Sequence, residues 1–213
     1  MSELSTVEAH VLRKTPYSES SLVIATLSEN GQQHFILRGA LQTGKRRFPA
    51  VDLFRLIRVV YRPAARSDLH TAREAECLDA YSQISRHAAH YQAAGWLSRL
   101  VLDNSGLEDP MPKLHAALAA AFRRLDSATP AACLPIMLGT TFVLLHESGN
   151  LPAFDDQPEI RRQVEQMREC AVDPATPYPN YDAAVWRRLR DWIQMFLLQH
   201  NFKVPQNFDR IEL

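Results

Sequence analysis

The hydrophobic period of this chain changes once, near residue 77. Before that point apolar side chains alternate with polar ones, as half-buried strands require; after it they recur every three or four residues, as amphipathic helices require. Neither pattern can satisfy the other structure, so the sequence predicts an α+β chain with two units in series. Residues 1–76 form the β unit and residues 77–213 the helical one.

The β unit reads as five short strands. Val7, Ala9 and Val11 alternate within 6–14, and Pro16 ends that run. Residues 21–28 are rich in β-branched side chains. Asn30-Gly31 supplies a turn, and 32–38 resumes with Phe35 and Leu37 on one face and His34 and Ile36 on the other. A further run spans 52–61, and 69–76 closes the set as a strand or forms a helix. No helix-length segment separates them, which favours a small barrel over a βαβ unit.

The helical unit begins with a stripe through Ile84, Ala88, Tyr91, Gly95, Leu97, Leu100 and Val101. Pro112 suits the first turn of a second helix, and Thr129-Pro130 marks the start of another. Met137 to Leu145 is apolar almost all round, which predicts a buried central helix ending at Gly149. Pro135 either kinks that helix or lies at its start. Residues 159–171 and 182–200 predict the last two helices.

Charge separates the halves although the whole chain is neutral, with 24 basic and 24 acidic residues. Residues 1–76 carry eleven Lys and Arg against eight acids. Within 38–66, Arg38, Lys45, Arg46, Arg47, Arg55, Arg58, Arg62 and Arg66 face the single acid Asp52. Such a field attracts polyanions, although a solvated sheet face with its loops would carry the same charge.

Several chemistries lack their residues. Gly39 to Lys45 has the spacing of a phosphate loop, but Arg46 stands where a magnesium-binding Ser or Thr is needed, and Arg47-Phe48-Pro49 opens no helix. His87 and His90 are three apart, yet no Cys or His pair lies at finger spacing, so no metal or other cofactor is expected. No nucleophile elbow is present, and no catalytic constellation argues for an enzyme. No apolar run reaches 18 residues, the first ten residues have no secretory pattern, and three scattered cysteines fit a reducing compartment. The expectation is a cytoplasmic protein with no membrane contact.

The ordered set Val11-Leu12-Arg13, Pro16-Tyr17-Ser18-Glu19-Ser20-Ser21-Leu22, Ser28-Glu29-Asn30-Gly31 and Arg38-Gly39-Ala40 resembles the start of the bacterial DNA repair RecO family. Residues 48–54, and 69–76 ending in Ala75-Glu76, continue the similarity in order and spacing. Residues 137–150 look like that family's central helix with its glycine turn. The resemblance implies an OB-fold barrel followed by a helical domain, and a non-enzymatic recombination mediator. Such a mediator binds single- and double-stranded DNA, anneals strands and helps load the recombinase RecA onto strands coated by single-strand-binding protein. The implied partners are RecR and the acidic C-terminal tail of single-strand-binding protein. Two departures stand out. Many members carry a four-cysteine zinc finger after the central helix, whereas residues 150–181 here hold Cys170 alone. Some members have basic residues at the start of that helix to hold the acidic tail, whereas Cys133-Leu134-Pro135-Ile136 has none; Arg123 and Arg124 are the nearest in sequence.

An OB barrel binds a strand by a basic groove with aromatic platforms. The candidate nucleic-acid contacts are therefore Arg38, Lys45, Arg46, Arg47, Arg55 and Arg58 for phosphates, with Phe48, in the basic loop, for stacking. The competing reading is an OB-like adaptor that binds a protein chain and no DNA.

Overall fold

The computed structural model describes residues 3–42, 48, 51–127, 129–206 and 208. Five strands form a closed barrel: β1 (Ser5–Pro16), β2 (Leu22–Ser28), β3 (Gly31–Leu37), β4 (Leu56–Arg62) and β5 (Leu69–Asp79), in the order β1-β2-β3-β5-β4. All neighbours are antiparallel except β3 and β5, which run parallel. This is the small barrel expected from the strand pattern, and the OB-type barrel that the family resemblance implies. Closure removes the open edges a five-stranded sheet would otherwise expose.

Alternation decides which side chains fill it. Val7, Val11, Leu22, Ile24, Phe35, Leu37, Ile57, Val59 and Tyr61 point into one core cluster. The β2–β3 hairpin turns through Glu29-Asn30, with Ser28 paired to Gly31. β1 carries a register shift between Val11 and Arg13, which lets the long strand bend from β4 to β2.

Two boundaries differ from the sequence reading. The run 52–61 is strand only from Leu56. Phe54 adopts a positive φ of 67°, its N–H donates to the Val11 carbonyl, and the Arg55 carbonyl accepts from the Val11 N–H. These two bonds fasten a turn where periodicity suggests extended chain. β5 also runs on to Asp79, so the barrel unit reaches Tyr81 and not residue 76, and it includes Ser105–Pro112. That later segment lies along the start of β3. The Gln32 amide donates to Gly106, the Glu108 amide donates to Gln32, and the Gln32 side chain donates to Ser105 at 2.8 Å.

The helical unit contains α1 (Ala88–Asn104), α2 (Pro112–Ser127), α3 (Cys133–Glu147), α4 (Pro158–Val172) and α5 (Ala183–Gln199). Residues 133–145 of α3 are all buried, and the hydroxyls of Thr140 and Thr141 donate to Ile136 and Met137 carbonyls one turn back. Pro135 sits in the first turn, where no intrahelical donor is missed, so it marks the start and not a kink. Gly149, at φ 71°, ends the helix: its N–H donates to His146 and that of Asn150 to Leu145, the paired bonds of a Schellman cap. Asp182 caps α5 through the Val185 N–H at 2.9 Å. The buried face of α1 is His90, Ala93, Ala94, Leu97, Leu100 and Val101, which leaves Tyr91 exposed, contrary to the stripe read from sequence. The helix begins at Ala88, and its phase is set by the Leu97–Val101 end.

Candidate nucleic-acid interface

β2 and β3 bury every residue except Val23 and His34, which are half-buried. A ligand therefore reaches this barrel through its connecting loops and not across those two strands. One exposed end is where β1 passes into β2 and β3 leaves for β4.

That end is built from two short turns. In the first, residues 17–21, the N–H groups of Tyr17 and Ser18 both donate to the Ser21 carbonyl, and the Ser21 N–H donates to the Ser18 hydroxyl. The second starts at Arg38. Gly39 takes a φ of 79° and the Gln42 N–H closes back onto its carbonyl. The Leu41 N–H donates to the Ser20 carbonyl at 3.0 Å, so the two turns are joined directly. Side chains on them are exposed: Tyr17 at 66%, Leu41 at 41%, and Arg38. Arg13, on β1, is exposed as well and lies close enough to His34 to lower its pKa, together with burial, the larger cause.

The residues singled out from sequence separate in the structure. Arg38 stands exposed at this end. Lys45, Arg46 and Arg47 belong to the same β3–β4 connection and lie outside the described residues. Arg55 is half-buried; against the opposing effect of burial, hydrogen bonds from Lys14 and the Leu53 N–H, with the charge of Lys14 and lastly that of Arg55, hold the Asp52 carboxyl below its ordinary range. Asp52 also accepts from Lys14 at 2.6 Å. Arg58 is held across the strands: it faces Glu8 on β1 and Glu76 on β5 in register, and its guanidinium meets their carboxylates at 2.7 and 2.9 Å. An arginine flanked by two acids is a cross-strand ladder, which weakens its case as a phosphate contact.

Phe48 is a correction. It is 5% exposed and belongs to the barrel core cluster, so it offers no ring face to a base. An apolar ring in a charged loop gains more by turning into the nearby barrel than by remaining in water. Phe35 and Phe54 are buried too. Residues 3–81 contain six Phe and Tyr rings, and Tyr17 alone is exposed. Sequence reasoning passed over it, although a Tyr directly after a strand-ending Pro and within a serine-rich loop is a readable signal.

The helical unit answers what organises residues 150–181. Arg124 donates through one guanidinium nitrogen to the carbonyls of Cys170, Asp173 and Thr176, at 2.9, 2.8 and 2.6 Å. The same guanidinium lies 4.7 Å from the centre of the Tyr178 ring. That ring lies against α3 at Gly139, where a Cβ would come within 2.7 Å of the Tyr178 hydroxyl. Burial raises the pKa of Tyr178. Cys170 is fully buried and its thiol donates to the Pro177 carbonyl. Arg124 is thus committed to this loop and is not available for an acidic tail, whereas Arg123 is exposed. Among the described residues no group of three or more His, Cys, Asp or Glu side chains is placed to hold a metal ion. No helix of the described residues is long and apolar enough to cross a membrane.

Comparison with known proteins points the same way. Residues 1–81 match the family model described as Recombination protein O N terminal. The chain is 25% identical over 188 residues to the DNA repair protein RecO of Synechococcus elongatus, covering 88% of this chain and 65% of that one. It is 26% identical over 179 residues to the DNA repair protein RecO of Gloeothece citriformis, covering 83% and 58% respectively. The matched region thus spans less than two thirds of the length of these relatives.

Proposed function

We propose, on the match of residues 1–81 to the Recombination protein O N terminal model, that the chain is a RecO-type non-enzymatic recombination mediator in DNA repair, acting in the cytoplasm. Its barrel binds DNA at the end formed by the 17–21 and 38–42 turns. The observation that carries this reading is exposed Arg38 at the start of the β3–β4 connection of a closed barrel whose β2 and β3 are buried, a connection whose sequence goes on to Lys45-Arg46-Arg47. Three consecutive cations repel one another in a free loop, and a phosphate backbone relieves that repulsion while releasing counterions. Arg38 and Arg13 extend the track, with Arg55 at its margin. Contacts of this kind are indifferent to base sequence, as strand annealing and recombinase loading require. RecR and the acidic tail of single-strand-binding protein are the proposed partners, the tail depending on cations other than Arg124.

The test is oligonucleotide affinity against salt for the wild type and for the triple variant Lys45→Ala, Arg46→Ala, Arg47→Ala. Each neutralised phosphate on a single strand adds roughly 0.7 to the salt slope, so the variant should be flatter by up to about 2. Equal slopes with an intact melting transition would remove the DNA site from this loop.

A further inference from the structure

We propose that Tyr17 is a stacking platform for an unpaired base, and that its ring makes this barrel favour single-stranded over double-stranded DNA. This rests on the DNA-binding reading above and adds the form of nucleic acid preferred.

The first argument is exposure. Tyr17 is 66% accessible, the most exposed large apolar side chain among the described residues, while the five other Phe and Tyr rings of residues 3–81 are buried at 9% or less. A single exposed apolar side chain is ordinary on a protein surface. Tyr17 differs in having Leu41, also exposed, on the adjoining turn and Arg38 at that turn's start. Two exposed apolar side chains and an exposed cation on two turns joined through the Leu41–Ser20 bond suit a nucleotide, which presents a π-face and a phosphate.

The second argument is rigidity. Pro16 precedes Tyr17 and is the last paired residue of β1, opposite Leu22. Its ring fixes one backbone dihedral immediately before the platform. The bonds from Tyr17 and Ser18 to Ser21, from Ser21 to Ser18, and from Leu41 to Ser20 fix the rest. Two side-chain torsions are then all that stacking must freeze, which keeps the entropic cost low.

The third argument is charge. Glu19 is exposed in the same loop and disfavours a phosphate there. Exposed Arg38, on the turn joined to this loop, is the cation that can take the phosphate in its place. Bases of a duplex are already stacked on their neighbours and cannot use such a ring without unstacking, whereas every base of a single strand can.

Tyr17→Ala and Tyr17→Phe, with melting curves to confirm folding, are compared on one oligonucleotide in single-stranded and duplex form. A single strand carrying 2-aminopurine reports stacking by its quenching. Tyr17→Ala should weaken single-strand binding by roughly 5- to 100-fold and abolish the quenching. Its duplex affinity should change by less than about twofold, and Tyr17→Phe should behave as the wild type, since stacking uses the ring and not the hydroxyl. Salt-dependent binding with an unchanged ratio of single-strand to duplex affinity in Tyr17→Ala would overturn the platform and leave the DNA-binding reading standing. Absence of DNA binding by the wild type would overturn both.

Discussion

Gly31, at the hairpin between β2 and β3, touches the backbone of Asp109 from the segment that joins the first two helices. A Cβ on Gly31 would stand 2.3 Å from the Asp109 carbonyl oxygen and 2.5 Å from its amide nitrogen. The position also has a φ of 92°. Glycine is therefore required twice, for the turn and for the close approach. The Gln32 bonds to Ser105, Gly106 and Glu108 depend on that approach.

Gly31→Ala should accordingly cost at least about 2 kcal/mol, because the obstacle is backbone and cannot swing aside. Chemical denaturation monitored by tyrosine absorbance and far-UV circular dichroism would read it, since the three tryptophans all lie in the helical unit. A loss below about 0.5 kcal/mol would mean that residues 105–109 do not hold this position.

The barrel was legible because alternation, turn residues and breakers agreed: Val7, Val11, Phe35 and Leu37 all face the core as their spacing implies. The Gly31 contact was half legible. Asn30-Gly31 announces a turn, but nothing in the sequence says that a segment some 75 residues later needs the missing Cβ. The basic stretch shows the limit of counting charges. Arg58 counts equally with Arg38 in the sequence, yet strand register sets it between Glu8 and Glu76, 50 and 18 residues away. Phe48 is buried although its neighbours in sequence are charged, because a ring beside a closed barrel turns inward, whereas Tyr17, on a loop whose backbone is tied to Ser21, stays exposed.

Arg38 and Arg58 should therefore separate in binding assays. Arg38→Ala should lower single-strand affinity and reduce the salt slope by about 0.7, the amount for one phosphate contact. Arg58→Ala should leave the slope unchanged, since its charge is already offset by two carboxylates. Equal effects of the two substitutions would place the strand across the β1–β4–β5 face instead.

Arg124 predicts a stability effect far from the barrel. Arg124→Ala removes the donor for three carbonyls and the cation over Tyr178. Roughly 2–4 kcal/mol should be lost, since partly buried acceptors are left unpaired. Arg124→Lys should recover little of it, because an ammonium does not reproduce the guanidinium's planar geometry over the ring. Urea unfolding of both variants is the check, and a Lys variant as stable as the wild type would contradict this account.

Acid should weaken the fold in two stages. Burial lowers the pKa of His90, with His87 beside it at 4.9 Å between ring centres adding to the effect. Burial also lowers His34 and His146. Each folded pKa lies below the ordinary 6.5, so the unfolded chain takes up protons first as pH falls. Stability is then complete above about pH 6.5 and declines below it. Asp52, whose pKa is depressed by Lys14 against the effect of burial, contributes its loss only below its ordinary 3.8. Unfolding free energies at pH 7.5, 6.5 and 5.5 should therefore fall in that order, and His90→Met should flatten the lower interval. A flat profile would refute the burial of neutral histidines.

The central claim, that the basic end of the barrel binds nucleic acid and not a protein chain, is tested most directly by one titration. Wild-type affinity for a mixed-sequence single strand is measured from about 50 to 200 mM salt, the range over which counterion release dominates. With Arg13, Arg38, Lys45, Arg46 and Arg47 each meeting a phosphate, log K should fall against log salt with a slope near about −3.5. No detectable binding at the lowest salt, or a slope within about 0.5 of zero, would contradict it and favour a protein-binding adaptor.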